Sequence, residues 1–310
     1  MPRSAMNRLL RKAGARRLIA PALALTLLLL SLISSVSALD APWPNPDFIS
    51  SYHRYNLDKR FFQRLLHKKE SPLFIERLQQ LKALYDREGS QDKASGFPKI
   101  IHQIWVGSPV PKKYVQWMRT WTNWQGWEYR LWTDKEVESI ILSNAELYQK
   151  ASNFGVKGDI LRYEILYQFG GLYADTDFEC LNPSFFELAS EKVDLLLGTE
   201  PALLAPPPMI ASGLIAAKAK HPLIKQLIDH LKSNFESSVS REPTDLSGPA
   251  YFTSEFFKYL QQDPVTYDII FPTTFFYPLT ANEFKLGHSA YKKYIHPETA
   301  AIHYYEGSWR

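Results

Sequence analysis

The spacing of hydrophobic and polar positions changes three times along this chain, and each change predicts a different kind of element. Residues 18–38 are apolar without a single charge, near the ~20 residues that span a bilayer. Residues 55–89 carry a helical stripe in two pieces. Phe61, Phe62, Leu65 and Leu66 share one face, and Leu78, Leu81, Leu84 and Tyr85 continue it. Ser71-Pro72 supplies an N-cap and first turn for the second piece. From Phe97 onward, short β-branched runs alternate with helical stripes. Residues 99–106 read as a buried strand ended by Gly107-Ser108-Pro109, and 127–132 as a second. Thr133-Asp134 can cap a helix over 135–142. Residues 157–169 put Ile160, Leu161, Ile165, Leu166 and Phe169 on a core face, stopped by Gly170-Gly171. Strands over 172–178 and 193–198 follow. This alternation predicts an α/β fold with a mostly parallel central sheet.

Composition narrows the class. A chain that is 45% hydrophobic and 22% charged is ordinary globular material, which excludes wholesale disorder and fibrous architectures. The net charge of +4 is misleading, because Arg3, Arg8, Arg11, Lys12, Arg16 and Arg17 all precede the first acid, Asp40. Without those six the remainder carries −2, so the body is no basic nucleic-acid binder. The lone Cys180 excludes an intrachain disulfide framework and any cysteine-rich zinc site, and it reads as a small packed side chain. Basic residues, an apolar stretch and Val36-Ser37-Ala38 as a cleavage site fit a signal peptide, whereas the length fits a retained signal-anchor. Both stay open. In either case the charge places the N-terminus in the cytoplasm and the body across the membrane. Three prolines within residues 40–50 mark a linker. The chain thus divides into a targeting segment (1–38), a linker and helical stem (39–96) and an α/β domain (97–310).

Candidate chemistry concentrates in residues 155–183. Asp175 and Asp177 flank Thr176, and on an extended strand both would project to one side. Two carboxylates that end a strand cannot be buried unpaired, and such hard oxygen ligands suit Mg²⁺ or Mn²⁺, which in turn holds a diphosphate. Asp159 and Arg162, three apart on the preceding helix, share a face. They form either a structural ion pair or a substrate clamp, with Arg162 donating to phosphate or sugar oxygens and Asp159 accepting from hydroxyls. His102 and His221 read as structural. Ala205-Pro206-Pro207-Pro208 is a stiff loop that could border an acceptor site.

Ile100-Ile101-His102-Gln103-Ile104-Trp105-Val106-Gly107, Asp159-x-x-Arg162-Tyr163 and Gly170-Gly171-x-Tyr173-x-Asp175-x-Asp177 together resemble the DXD-containing sugar-binding region of glycosyltransferase family 32. That family includes Golgi mannosyltransferases acting on N-glycans and on inositol phosphoceramide. The likeness continues through His221-Pro222, Ser247-Gly248-Pro249, Phe276-Tyr277-Pro278 and a terminal His303-x-x-x-x-Ser308-Trp309. It implies a GT-A-type nucleotide-sugar-binding fold and a retaining hexosyl transfer, mannose foremost, from GDP-mannose or a UDP-sugar to a glycan or glycolipid. By the same likeness, Trp105 and Gln103 lie on the donor nucleotide, Asp159 and Arg162 contact the sugar, and Tyr173 lies beside the donor. Asp175, Asp177 and His303 would hold Mn²⁺ or Mg²⁺, and Ser308 and Trp309 would close over the diphosphate. Where many relatives carry Asn-Ala, this chain has Ser212-Gly213, so a contact made there by an Asn amide is missing. Nucleotide sugars are absent from the medium, which favours an anchored, single-pass type II protein in a Golgi-like lumen. A membrane-associated or exported bacterial enzyme is the alternative.

Two other readings compete. Aspartyl-phosphate phosphohydrolases also use Asp-x-Asp after a strand, but they want Thr or Val where this chain has Glu179. A catalytically silent carbohydrate-binding relative would be expected to lose the carboxylates, and both are present.

Overall fold

The computed structural model describes residues 44–51, 71–87, 94–201, 208–280 and 292–307. The apolar stretch 18–38, and with it the signal-anchor expectation, lies outside the described residues. In chain order the elements are α1 (Ser71–Tyr85), β1 (Ile100–Ile104), α2 (Lys112–Met118), β2 (Glu128–Trp132), α3 (Asp134–Val137), α4 (Ala145–Lys150), α5 (Phe154–Phe169), β3 (Gly171–Ala174) and β4 (Phe178–Cys180). They continue with α6 (Pro183–Lys192), β5 (Leu195–Gly198), β6 (Leu214–Ala217), α7 (Pro222–Ser237), α8 (Pro243–Leu246), α9 (Pro249–Leu260), β7 (Asp268–Phe271) and β8 (Ala301–His303).

The central sheet has the order β2-β1-β3-β6-β5-β7. β1 pairs in parallel with β2 and β3, β5 pairs in parallel with β7, and only β6 runs against its neighbours. The sheet is therefore mostly parallel, as the pattern predicts. β3, β5, β6 and β7 are buried along their whole length, which is why they appear in the sequence as apolar runs without alternation. A second, two-stranded sheet joins β4 to β8 antiparallel.

Three local outcomes differ from the sequence expectation. The strand expected over 172–178 is two strands, because β3 stops at Ala174 and the chain turns, with Phe178 N–H donating to Asp175 O at 3.1 Å. Asp175 and Asp177 sit in that turn, between two sheets, instead of on an extended strand. The helix expected over 135–142 ends at Val137. Its start is the capping box of Thr133 and Glu136, but the Ser139 hydroxyl takes the Glu136 carbonyl and competes with the helical ladder. Conversely, α5 begins three residues early, because Asn153 Oδ1 accepts from Gly155 N and Val156 N. The segment read as linker and stem supplies core: Phe48 and Ile49 are buried with Phe74, Leu78, Leu81 and Tyr85 of α1, which packs on β7.

The α5–β3 junction sets the level of the site. Gly170 and Gly171 have φ of 64° and 102°, and a Cβ on either would strike backbone at 2.5 Å, from Ala219 N and Ile100 O respectively. Only glycine permits so tight a reversal. α5 then runs back across β1, β3 and β6. Eight helical residues and four extended ones each cover ~12–13 Å, so Arg162 lies level with Asp175 at the carboxyl ends of β1 and β3.

Candidate functional site

Parallel strands present ligand sites at their carboxyl ends, and here Gln103 of β1 contacts Asp175, the residue just after β3, while Trp105 follows the end of β1. Asp175 is fixed from several sides. Its N–H donates to Gly213 O at 2.8 Å, its carbonyl accepts from Gln103 Nε2 at 3.2 Å, and its Oδ1 accepts from the Tyr173 hydroxyl at 2.5 Å. Gln103 is in turn held by the Tyr129 hydroxyl at 2.8 Å. Gly213 makes room for the carboxylate: a Cβ there would lie 2.9 Å from Asp175 Oδ2. Its neighbour Ser212, at the position of the missing Asn, is buried, and its carbonyl accepts from Arg162 Nη1.

Arg162 ties the helix to the turn. Its Nη2 lies 3.2 Å from Asp159 Oδ1 and 3.2 Å from Asp175 Oδ1, and its Cζ stands 4.6 Å over the Tyr173 ring. Both terminal nitrogens are engaged by protein oxygens. Asp159 Oδ2 accepts from the Ser247 hydroxyl at 2.7 Å. Burial pushes the Asp159 carboxyl up to about 6, against the opposing effects of Arg162 and Ser247.

On the other side of the turn, Asp177 faces β8. His303 Nε2 lies 3.3 Å from Asp177 Oδ1, while Asp177 Oδ2 accepts from Glu306 N at 2.9 Å and its carbonyl accepts from Tyr304 N at 3.0 Å. The His303 ring stacks on Phe178 at 4.6 Å. One ligand atom from each of Asp175, Asp177 and His303 falls within 4.8 Å of the others. Burial raises Asp175, and the neighbouring Asp177 charge adds to it. Burial also acts to raise Asp177, but the His303 charge and hydrogen bond outweigh it and hold this carboxyl below its usual range. Burial would lower His303, yet Asp177 keeps it raised. Partly buried Glu200, raised by burial, is coupled through space to His303 and Asp175.

The donor set fits a divalent cation. Two hard carboxylates and one imidazole suit Mn²⁺, or Mg²⁺ with more water. His303 Nδ1 is buried without a hydrogen-bond partner among the described residues.

Trp105 follows β1 and is partly exposed. Its indole N–H donates to Ser108 Oγ at 3.2 Å and its ring lies 4.6 Å from that of Tyr114. Behind them Trp117 stacks on Tyr304 at 4.7 Å, and Lys113 of α2 pairs with Glu306. Asp159, Arg162, Tyr173, Gln103, Asp175, Asp177 and His303 are thus linked around one turn, with Trp105 at the end of β1. Ser308 and Trp309 lie outside the described residues. Glu200, Ser247, Tyr129 and Glu306 carried no role in the sequence reading. Ser247 had a signal, since Ser-Gly-Pro marks a helix start, but nothing local said where its hydroxyl points.

A family model described as "Glycosyltransferase sugar-binding region containing DXD motif" matches residues 110–194. That stretch takes in Asp159, Arg162, Tyr173, Asp175 and Asp177. The chain is similar to inositol phosphoceramide mannosyltransferase 1 of Schizosaccharomyces pombe, with 30% identity over 173 residues, 53% of this chain and 52% of that protein. It is also similar to the initiation-specific alpha-1,6-mannosyltransferase of Candida albicans, with 26% identity over 54% of each chain. The match thus spans about half the length of these curated relatives. A solved structure titled "PaToxG Glycosyltransferase" aligns at 18% identity over 64% of this chain and 81% of its own, with a TM-score of 0.40.

Proposed function

We propose that this chain belongs to the glycosyltransferases whose sugar-binding region contains the DXD motif, which its matches support, and that it is a metal-dependent retaining hexosyltransferase. Its donor is a nucleotide-diphosphate sugar, with GDP-mannose the first to test and UDP-sugars next, and its acceptor is a glycan or glycolipid. The observation that carries this reading is the convergence of Asp175, Asp177 and His303 within 4.8 Å beside the sugar-facing pair Asp159 and Arg162. Names of relatives that transfer mannose support the choice of sugar.

Asp175, Asp177 and His303 would hold the Mn²⁺ or Mg²⁺ ion. When bound, such an ion neutralises the negative charge that grows on a departing diphosphate. The residues do the rest. Asp159, ionised above about pH 6, accepts from sugar hydroxyls. Arg162 keeps Asp159 and Asp175 in register by bridging them. Tyr173 and Gln103 orient Asp175. Trp105, backed by Tyr114, offers a ring face to the nucleotide base. Ser308 and Trp309 supply a hydroxyl and an indole N–H for the diphosphate.

For the compartment we infer a single-pass type II protein held by residues 18–38 in a Golgi-like lumen. Among the described residues no helix is long and apolar enough to cross a membrane, so this rests on the uncharged stretch and its six flanking cations. The test is donor hydrolysis and transfer by the purified protein against a panel of nucleotide sugars with Mn²⁺, and again after chelation. Turnover that survives complete chelation would overturn metal dependence, and no turnover of any donor would overturn the reading.

A further inference from the structure

Asp159 has one oxygen on Arg162 and the other on Ser247, and the arrangement around Ser247 is more elaborate than helix capping requires. Ser247 is fully buried. Its hydroxyl donates to Asp159 Oδ2 at 2.7 Å, its carbonyl accepts from the Tyr163 hydroxyl at 2.6 Å, and its N–H donates to Pro243 O at 3.1 Å. The preceding carbonyls, of Asp245 and Leu246, are both taken by Asn234 Nδ2, at 2.9 and 2.8 Å. Every polar group of Ser247 is therefore held, from α5 by Tyr163 and from α8 by Pro243, with α7 fixing the chain just before it. The next residue, Gly248, brings the loop close in: a Cβ there would lie 3.5 Å from Asp159 Oδ2. Ser247 is not the cap of α9 through its side chain, since Gly248 is the N-cap and no side-chain cap bond exists. The hydroxyl has a different target, across the structure on α5.

We propose that Ser247 is a positioning residue for donor-sugar recognition: its hydroxyl fixes the rotamer of Asp159, so that the carboxylate meets the hydroxyls of the sugar moiety of a nucleotide-diphosphate sugar. This rests on the reading of Asp159 given above. A carboxylate gripped by Arg162 alone can swing about its χ angles. A second bond on the opposite oxygen sets its plane, and orientation within a few tenths of an ångström is what a sugar-hydroxyl contact needs. Among the described residues Ser247 has no hydrogen bond to Asp175, Asp177 or His303 and reaches Asp175 only through Asp159 and Arg162, so sugar recognition and diphosphate binding are measured apart.

The experiment compares wild-type protein, Ser247→Ala and Ser247→Thr in the full chain. It measures kcat and KM for the active donor, titrates GDP and UDP with Mn²⁺ by calorimetry, and records thermal melts. The expected result is selective. Ser247→Ala loses about tenfold or more in kcat/KM for the nucleotide sugar, while nucleoside diphosphate affinity stays within about twofold and Ser247→Thr, which keeps the hydroxyl, recovers most of the loss. Equal kcat/KM in wild type and Ser247→Ala would overturn the proposal. So would parallel weakening of diphosphate and nucleotide-sugar binding, which would make the residue merely structural. A Ser247→Ala that fails to fold would also overturn it unless Ser247→Thr, folded, matched wild type. Wild-type protein inactive on every donor would instead sink the transferase reading itself, and this proposal with it. A wild type that turns over beside an indifferent Ser247→Ala sinks this proposal alone.

Discussion

Two histidine–carboxylate pairs, one at the central sheet and one at the two-stranded sheet, differ in what each leaves unpaired. His221, just before α7, puts Nε2 3.0 Å from Asp268 Oδ1. Asp268 Oδ2 accepts from the Tyr259 and Thr266 hydroxyls at 2.8 and 3.0 Å, and His221 Nδ1 accepts from Leu223 N at 3.3 Å. Each ring nitrogen and each carboxylate oxygen has a partner. In the second pair, His303 and Asp177, the ring's Nδ1 has no partner among the described residues, and another carboxylate, that of half-buried Asp175, stands within reach. A saturated network is a structural device, since nothing remains to bind. Two carboxylates and an imidazole not fully used among the described residues, held by surrounding hydrogen bonds, leave donor atoms that a cation could take. The contrast gives each pair a separable phenotype.

The largest expected effect belongs to the open pair. Asp177→Asn is nearly isosteric but removes a charge that holds the cation, so transfer should fall by at least ~10³-fold with the melting temperature unchanged. Steady-state transfer and a thermal melt on the same preparation check this; near-normal turnover in a protein of unchanged stability would end the metal assignment. Asp268→Ala should do the opposite. It strips partners from His221, Tyr259 and Thr266 at once and should cost about 3–4 kcal/mol of folding free energy. The fraction that remains folded should turn over donor at the wild-type rate, read from urea denaturation beside activity per folded molecule. If Asp268→Ala lost catalysis without losing stability, the comparison would collapse.

Arg162→Lys probes the bridge between sugar-facing and metal-facing carboxylates. The guanidinium spends Nη1 on Ser212 O and Nη2 on Asp159 and Asp175. An ammonium cannot span these oxygens in a plane, so kcat should drop about 10²-fold, equivalent to about 2.7 kcal/mol. Unchanged kinetics would reduce Asp159 and Arg162 to a plain structural ion pair.

How far the chain disclosed this in advance depends on range. The pairing of Asp159 with Arg162 was legible because three residues on a helix fix a shared face. The Gly170-Gly171 stop was legible because only glycine turns that way. The resemblance brought His303 next to Asp177 on paper, although no local pattern joins β8 to β4. What stayed hidden depends on distant burial or on competition at element ends. The strand expected over 172–178 runs through the Asp-x-Asp turn because Phe178 is apolar, yet Phe178 pairs with β8 in another sheet. Asn153 is a weak cap signal in the sequence because Gly155 and Gly158 lower the helical propensity after it. The packing of α1 on β7, and the direction of the Ser247 hydroxyl, are settled by segments far away in sequence.

The smallest expected effect tests whether saturation alone defines a structural histidine, using one that adjoins the site. His102 precedes Gln103 on β1 and is fully buried. Its Nε2–H donates to Gly170 O at 2.8 Å, and its Nδ1 accepts from Trp132 Nε1–H at 3.0 Å. That is the neutral ring with both nitrogens used. A second proton would point an N–H at an N–H, and burial lowers the pKa from 6.5 to about 4. The folded state therefore takes up this proton later than the unfolded chain does. The stability it contributes is fully present above about pH 6.5 and is lost as pH falls toward 4, amounting to about 2 kcal/mol between pH 7 and pH 5. Other groups titrate in that window, so the measurement is a difference: urea unfolding of wild type and His102→Gln at both pH values. Wild type should lose about 2 kcal/mol more than the variant on acidification. Parallel losses would mean that the ring is not held neutral, and that a saturated hydrogen-bond pattern is no guide to which histidine of this sheet is structural.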